Sequence, residues 1–182
     1  MPRMPEIRAS APYARAIEAV HELLSRLRLE FLFLGDVARS AWLGSEACSG
    51  SVDVLATMGP QQKNQVAMMA SNRGFRVERE EIEASEELDL IPLHFVTDEE
   101  TDIRVHVLVA SNALYGRMVA AGVSAQLGEN SLRVPRGEDY ALLLAMTGDK
   151  VALHALTSTP EFDRQAYNVK LRSIGLGEQV LA

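Results

Sequence analysis

Three short clusters carry the side chains able to do chemistry: Gly35-Asp36 with Arg39, Ser51 with Asp53, and Asp102, Arg104 and His106. Glycine at 35 lets the backbone turn sharply. Asp36 beside it is placed to cap a following helix by accepting from the N–H groups of Ala38 or Arg39. Arg39 falls on the first turn of that helix, where it could meet a phosphate; a surface salt bridge is the plainer role. Asp53 is a carboxylate between Val52 and Val54, with the hydroxyl of Ser51 two residues before it. Strand alternation sets Asp102, Arg104 and His106 on one face and Ile103, Val105 and Val107 on the other. A polar patch on an exposed sheet face is preferred there to a catalytic role. His106 offers nitrogen, a donor for zinc or another transition metal more than for magnesium. The glutamates of 78–87 read as a solvated acidic loop or strand edge, because metal ligands must converge and a charge run diverges. Cys48 sits in a loop of small residues with no identifiable base, so an inert thiol is expected.

The elements that position these residues follow from patterning. Residues 31–34 form a short apolar strand, 37–43 a helix stopped by Gly44, 45–50 a loop, and 51–56 a second strand. Before them, 13–29 repeats Ile17, Val20, Leu24 and Leu27 at helical spacing, with Ser10 as its cap and His21 beside the stripe as a structural residue. After them, Pro60 opens a helix over 60–73 and a strand starts at 75–77. Residues 88–97 form a strand whose Pro92 favours an edge or a bulge. A turn at 98–101 leads into a strand over 102–110. A helix over 112–121, a loop over 123–130 and a strand over 132–134 follow. Helical stretches at 140–146, 151–156 and 161–174 close the chain. The expected division is a loosely ordered tail at 1–11, a core at 12–134, and a helical segment at 135–182 packed on it.

The unit over 31–56, FLFLGDVARSAWLGSEACSGSVDVLA, resembles the catalytic core of the nucleotidyltransferase superfamily. The likeness is greatest to its small prokaryotic branch of abortive-infection and minimal nucleotidyltransferases. Gly35 matches the first glycine of that pattern, Gly44 the helix-end glycine, and Asp53 the second aspartate of the Thr-x-Asp-x-Asp strand. Ser49 stands in for the threonine. Three positions depart: Asp36 replaces glycine or serine, Ser51 replaces the first aspartate, and His106 in Val105-His106-Val107-Leu108 stands at the third. The resemblance implies an α/β fold, a short mixed sheet with flanking helices, followed by a C-terminal helical segment. It also implies nucleotidyl transfer, in which three carboxylates hold two magnesium ions and the glycine turn receives the triphosphate.

Of those parts only Asp53 persists as a carboxylate. Ser51 and His106 would complete an atypical site, and Asp53 and His106, with Asp36, a weak transition-metal set. Gly35, Asp36 and Arg39 would face a nucleotide. A carboxylate at 36 would repel a phosphate by roughly 4 kcal/mol per pair at about 4 Å and an effective dielectric near 20. Asp36 is therefore expected to fill the anion site itself. The expected function is a degenerate member that binds a protein or ligand. The alternatives are an active nucleotidyltransferase acting on a protein, RNA or small molecule, and one half of a toxin–antitoxin-like pair. Mg2+ and a nucleoside triphosphate belong only to the active alternative; otherwise the cofactor is unspecified.

The bulk numbers fit. At 182 residues the chain suffices for one domain with a substantial core. A net charge of −7 argues against nucleic acid as the default partner. One cysteine forbids an internal disulfide and fits a reducing interior. No apolar run approaches the roughly 20 residues of a membrane span, and the N-terminus has no apolar signal region. The cytoplasm is the expected location. Oligomeric state has no sequence signal.

Overall fold

A computed structural model describes residues 4–48, 50–97 and 101–175, so Ser49 and most of the expected 98–101 turn lie outside them. The chain divides into two compact units, Met1–Val134 and Pro135–Ala182.

The first unit runs β1 (Arg8–Ala9), α1 (Ala11–Arg26), β2 (Glu30–Phe33), α2 (Gly35–Leu43), β3 (Glu46–Ala47), β4 (Val52–Thr57), α3 (Pro60–Ser71), β5 (Phe75–Arg76) and α4 (Arg79–Ala84). A 3-10 turn at Glu86–Leu88 leads to β6 (Leu90–Val96), β7 (Asp102–Val109), α5 (Ala113–Ala121), β8 (Val123–Leu127) and β9 (Asn130–Val134). Five strands make a mixed sheet in the order β2-β4-β7-β6-β5. The β4–β7 pair is parallel and the other three pairs are antiparallel.

Alternation decides what each face carries. Val52, Val54 and Ala56 of β4 and Val105 and Val107 of β7 join Ile17, Val20, Leu23 and Leu24 of α1 in the main core. Each large aliphatic side chain buried there contributes about 1.5–3 kcal/mol. On the opposite face Leu32, Leu55 and Val119 cluster, with Leu34, Leu108 and Tyr115 against them, so α5 covers that part of the sheet. Asp53 and His106 share this second face by alternation and lie outside the cluster. Pro92 is tolerated for a simple reason: β5 pairs only with His94 and Phe95. At Pro92 the strand has its β7 neighbour alone, and the missing N–H costs no ladder bond.

Four expectations change. Residues 5–10 are not a loose tail. β1 pairs with β3, Ile7 N–H donates to the Gln126 carbonyl (2.7 Å), and the buried Ser40 hydroxyl accepts from Arg8 N–H (2.7 Å). Ser10 occupies the N-cap place of α1 without a side-chain bond to the helix; its carbonyl accepts from Ala14 N–H (2.8 Å). The glutamate run begins as α4, where Arg79 and Glu83 pair at 2.7 Å one turn apart. The expected loop after Gly122 holds β8, whose Ala125 and Leu127 are buried and which pairs with β9.

The second unit consists of α6 (Gly137–Thr147), α7 (Lys150–Thr157) and α8 (Arg164–Ser173). Gly148, in the left-handed conformation, separates α6 from α7. Asp149 and Asp163 cap α7 and α8 by accepting from Ala152 N–H (3.0 Å) and Ala166 N–H (2.9 Å). Asp139 is buried and receives a hydrogen bond from Lys170, tying α6 to α8.

Candidate functional site

Register brings the sequence-singled residues together. In the parallel β4–β7 pair, Asp53 stands opposite His106. His106 Nδ1–H donates to Asp53 Oδ1 at 2.9 Å; a carboxylate only accepts, so Nδ1 carries the proton. Ser51 Oγ–H donates to the same Oδ1 at 2.6 Å. The other oxygen, Oδ2, lies against Gly35: a Cβ there would stand 2.6 Å from it, and Gly35 has a φ of +53°. Leu34 N–H donates to the Asp53 carbonyl (2.8 Å), which pins the glycine turn to β4. Gly35, Ser51, Asp53 and His106 therefore form one connected cluster on the sheet face away from the main core.

Asp36 sits differently from expectation. The helix begins at Gly35, with Leu34 as N-cap and no side-chain capping bond. Asp36 is thus already inside the first turn, past the cap position. Its carboxylate reaches towards Gly50, where a Cβ would stand 3.8 Å from Oδ2. Burial pushes its pKa up, Arg39 pulls it down, and Asp53 adds to the rise, leaving it above the ordinary carboxylate value. Arg39 thus reaches the site electrostatically, through Asp36.

Tyr13 of α1 belongs to the same locality, and nothing in its sequence context announced it. Its hydroxyl donates to the Ser51 carbonyl. Burial, then the charges of Asp36, Asp53 and Cys48, raise its pKa far above that of a free phenol. Cys48 itself is exposed.

A second polar cluster lies along β6. His94 is 5% exposed. Its Nε2 is 2.8 Å from Glu81 Oε2 and its Nδ1 is 3.0 Å from Asp102 Oδ1. Both carboxylates accept, which favours the doubly protonated ring, with Arg76 Nη2 also 3.4 Å from Nδ1. Burial opposes this charge, but the bonds to Glu81 and Asp102 outweigh it and the pKa rises. Arg76 bonds Asp102 and, through Nε, Glu78 (3.0 Å). Ligand atoms of Glu78, Glu81 and His94 lie within 4.8 Å of one another, so part of the glutamate run does converge. Each of these carboxylates already has a cationic partner, which makes the cluster an ion-pair network.

Magnesium wants several hard oxygen ligands converging on one point. Asp53 Oδ1 is occupied by two donors, Oδ2 lies against Gly35, and the flanking groups are a hydroxyl and an imidazole. Among the described residues, Asp36, Asp53 and His106 do not gather three ligand atoms within 4.8 Å of one another. The donor set does not fit a two-magnesium centre, and it does not assemble the transition-metal set of Asp53, His106 and Asp36 either.

The fold itself is defined by comparison. No family model matches the sequence, and no curated protein matches it. The crystal structure of an antigenic nucleotidyltransferase-like protein from Paracoccidioides brasiliensis superposes on 91% of this chain and 88% of its own, with a TM-score of 0.54 at 11% identity. The chain has a nucleotidyltransferase-type fold. More distant likenesses are ANT(2″)-Ia in complex with adenylyl-2″-tobramycin and the Cid1 poly(U) polymerase. The first has a TM-score of 0.44 at 14% identity, covering 92% of this chain and 91% of that one. The second has 0.41 at 12%, covering 82% and 40%. Among the described residues, no helix is long and apolar enough to cross a membrane.

Proposed function

We propose that this chain has lost nucleotidyl transfer and uses the nucleotidyltransferase-type scaffold to bind a protein or ligand in the reducing interior of the cell. One observation supports this above the others: the remaining carboxylate of the expected triad, Asp53, has its Oδ1 saturated by Ser51 and His106. A metal ion at Oδ1 would have to displace both donors and would gain one carboxylate. Asp36 adds a carboxylate where a triphosphate would dock against α2; burial first, and then the neighbouring Asp53, raise its pKa against the pull of Arg39.

The test is transfer from labelled nucleoside triphosphates with magnesium, run beside an Asp53→Ala control. The expected result is no label incorporation above that control into protein, RNA or small-molecule acceptors. Incorporation that disappears with Asp53→Ala would establish the active alternative, with Ser51 and His106 as its atypical partners. Purification of the full chain from its native cells adds a second readout, since a stoichiometric second polypeptide would identify the bound class as protein.

A further inference from the structure

Next to the Asp53–His106 pair the same sheet face holds a cavity of about 260 Å3. Its walls include Leu90, Pro92, Leu93, His94, Arg104 and His106. His106 therefore belongs to both places: its Nδ1 holds Asp53 and its ring borders the cavity.

The polar groups of the wall divide into satisfied and unsatisfied ones. Glu81 and His94 are bonded to each other, and the second nitrogen of His94 is held by Asp102. Ser85 Oγ donates to the Ile82 carbonyl (3.1 Å). The Arg104 side chain has no ion pair or hydrogen bond with any described residue. Arg104 is exposed on a wall of leucines and proline, beside carboxylates that already have cations, so its guanidinium is available to an incoming anion. Guanidinium presents a planar fork of donors that matches a carboxylate two bonds at a time.

We propose that this cavity binds a small organic carboxylate. Arg104 pairs with its carboxylate, and Leu90 and Pro92 receive its apolar body. The volume lies below the roughly 300–1,000 Å3 of drug-sized sites, which restricts the ligand to a small one. The charge also favours a monoanion. Glu81 is on the wall and Asp53 is bonded to the wall residue His106, so a phosphate dianion would meet more repulsion than a monoanion beside the one free guanidinium among the described wall residues. The inference deepens the reading that the scaffold binds and does not transfer, and it rests on that reading.

Benzoate is the probe, with benzamide as a neutral isostere and inorganic phosphate as the competing anion. Each is titrated into the full-length chain and followed by backbone amide NMR. Benzoate is expected to saturate with shifts confined to 90–94 and 104–106, while benzamide and phosphate do not saturate. Arg104 is exposed, so Arg104→Gln leaves the fold intact; it should weaken benzoate binding about tenfold or more, the size of one lost charged hydrogen bond. Arg104→Lys should retain part of the affinity. The proposal is overturned if benzoate does not saturate, if benzamide or phosphate binds as tightly, or if Arg104→Gln changes nothing. Those results leave the lost-transfer reading standing, because that reading falls only to Asp53-dependent label incorporation.

Discussion

Replacing Gly35 by alanine should damage the site and the fold together, by a calculable amount. Gly35 has a φ of +53°, and its Cβ would fall 2.6 Å from Asp53 Oδ2, with Asp53 Cγ at 3.5 Å. The left-handed backbone alone costs a non-glycine residue about 1–2 kcal/mol. Relief of the overlap must come from Asp53, which cannot swing without loosening its bonds to Ser51 and His106. At about 1 kcal/mol per bond, the displacement adds ~1–2 kcal/mol. Gly35→Ala should therefore cost about 2–4 kcal/mol in total. Gly44 supplies the control: its φ is +70°, and a Cβ there meets nothing within 4 Å. Gly44→Ala should show the backbone cost alone, about 1–2 kcal/mol. Urea unfolding with an unchanged m-value measures both. For a chain of this size the excess at Gly35 corresponds to roughly 2–8 °C in Tm. The decisive arm is the double variant: with Asp53→Ala present, Gly35→Ala should cost no more than Gly44→Ala. Equal costs at Gly35 and Gly44 in the parent chain, or a Gly35 excess that survives Asp53→Ala, would refute the packing of Asp53 on the glycine turn.

Two pH-dependent outcomes follow from the remaining charges. The folded-state pKa of Asp36 is raised, by burial first, with Arg39 opposing and Asp53 reinforcing. Its contribution to stability is thus full below the ordinary carboxylate value and is lost as pH rises through the raised one. Asp36→Asn should stabilise the chain near neutral pH, with the gain shrinking towards about pH 4; a constant gain or a loss contradicts the assignment. His94 is also raised, so the stability from its bonds to Glu81 and Asp102 is present below 6.5 and lost as pH rises through the folded-state value. His94→Gln should flatten that decline and speed amide exchange in Arg79–Ala84, which Glu81 anchors to β6. An unchanged pH profile would remove His94 from that role.

The sequence was most informative where one residue's local chemistry settled its place. Gly44 ends α2 in the left-handed conformation, Pro60 opens α3, and the alternation of 102–109 separates Ile103, Val105 and Val107 from the polar face. The resemblance put Asp53 at the second aspartate position and His106 at the third, and strand register sets them side by side. Other parts depended on distant residues. β1 is two residues long and exists through its pairing with β3 and its bonds to Ser40. α4 has no local apolar stripe, and its tie to β6 is the Glu81–His94 bond, thirteen positions apart. Tyr13 reaches Ser51 across thirty-eight positions, and helical spacing in α1 says nothing about such a contact. β8 did carry a signal, the alternation of Val123, Ala125 and Leu127, but Ser124 and Gln126 between them also suit a loop. Asp36 was misplaced by a single helical position: a helix that starts at Gly35 turns a cap into a first-turn carboxylate.

The claim at the centre is that the cluster of Gly35, Ser51, Asp53 and His106 no longer receives a metal-bound triphosphate. Isothermal titration of the full chain with ATP, GTP, CTP and UTP in excess magnesium tests it most directly. The account predicts no saturable heat at micromolar nucleotide, and the same trace for Asp53→Ala. Micromolar, magnesium-dependent binding that Asp53→Ala abolishes would contradict it.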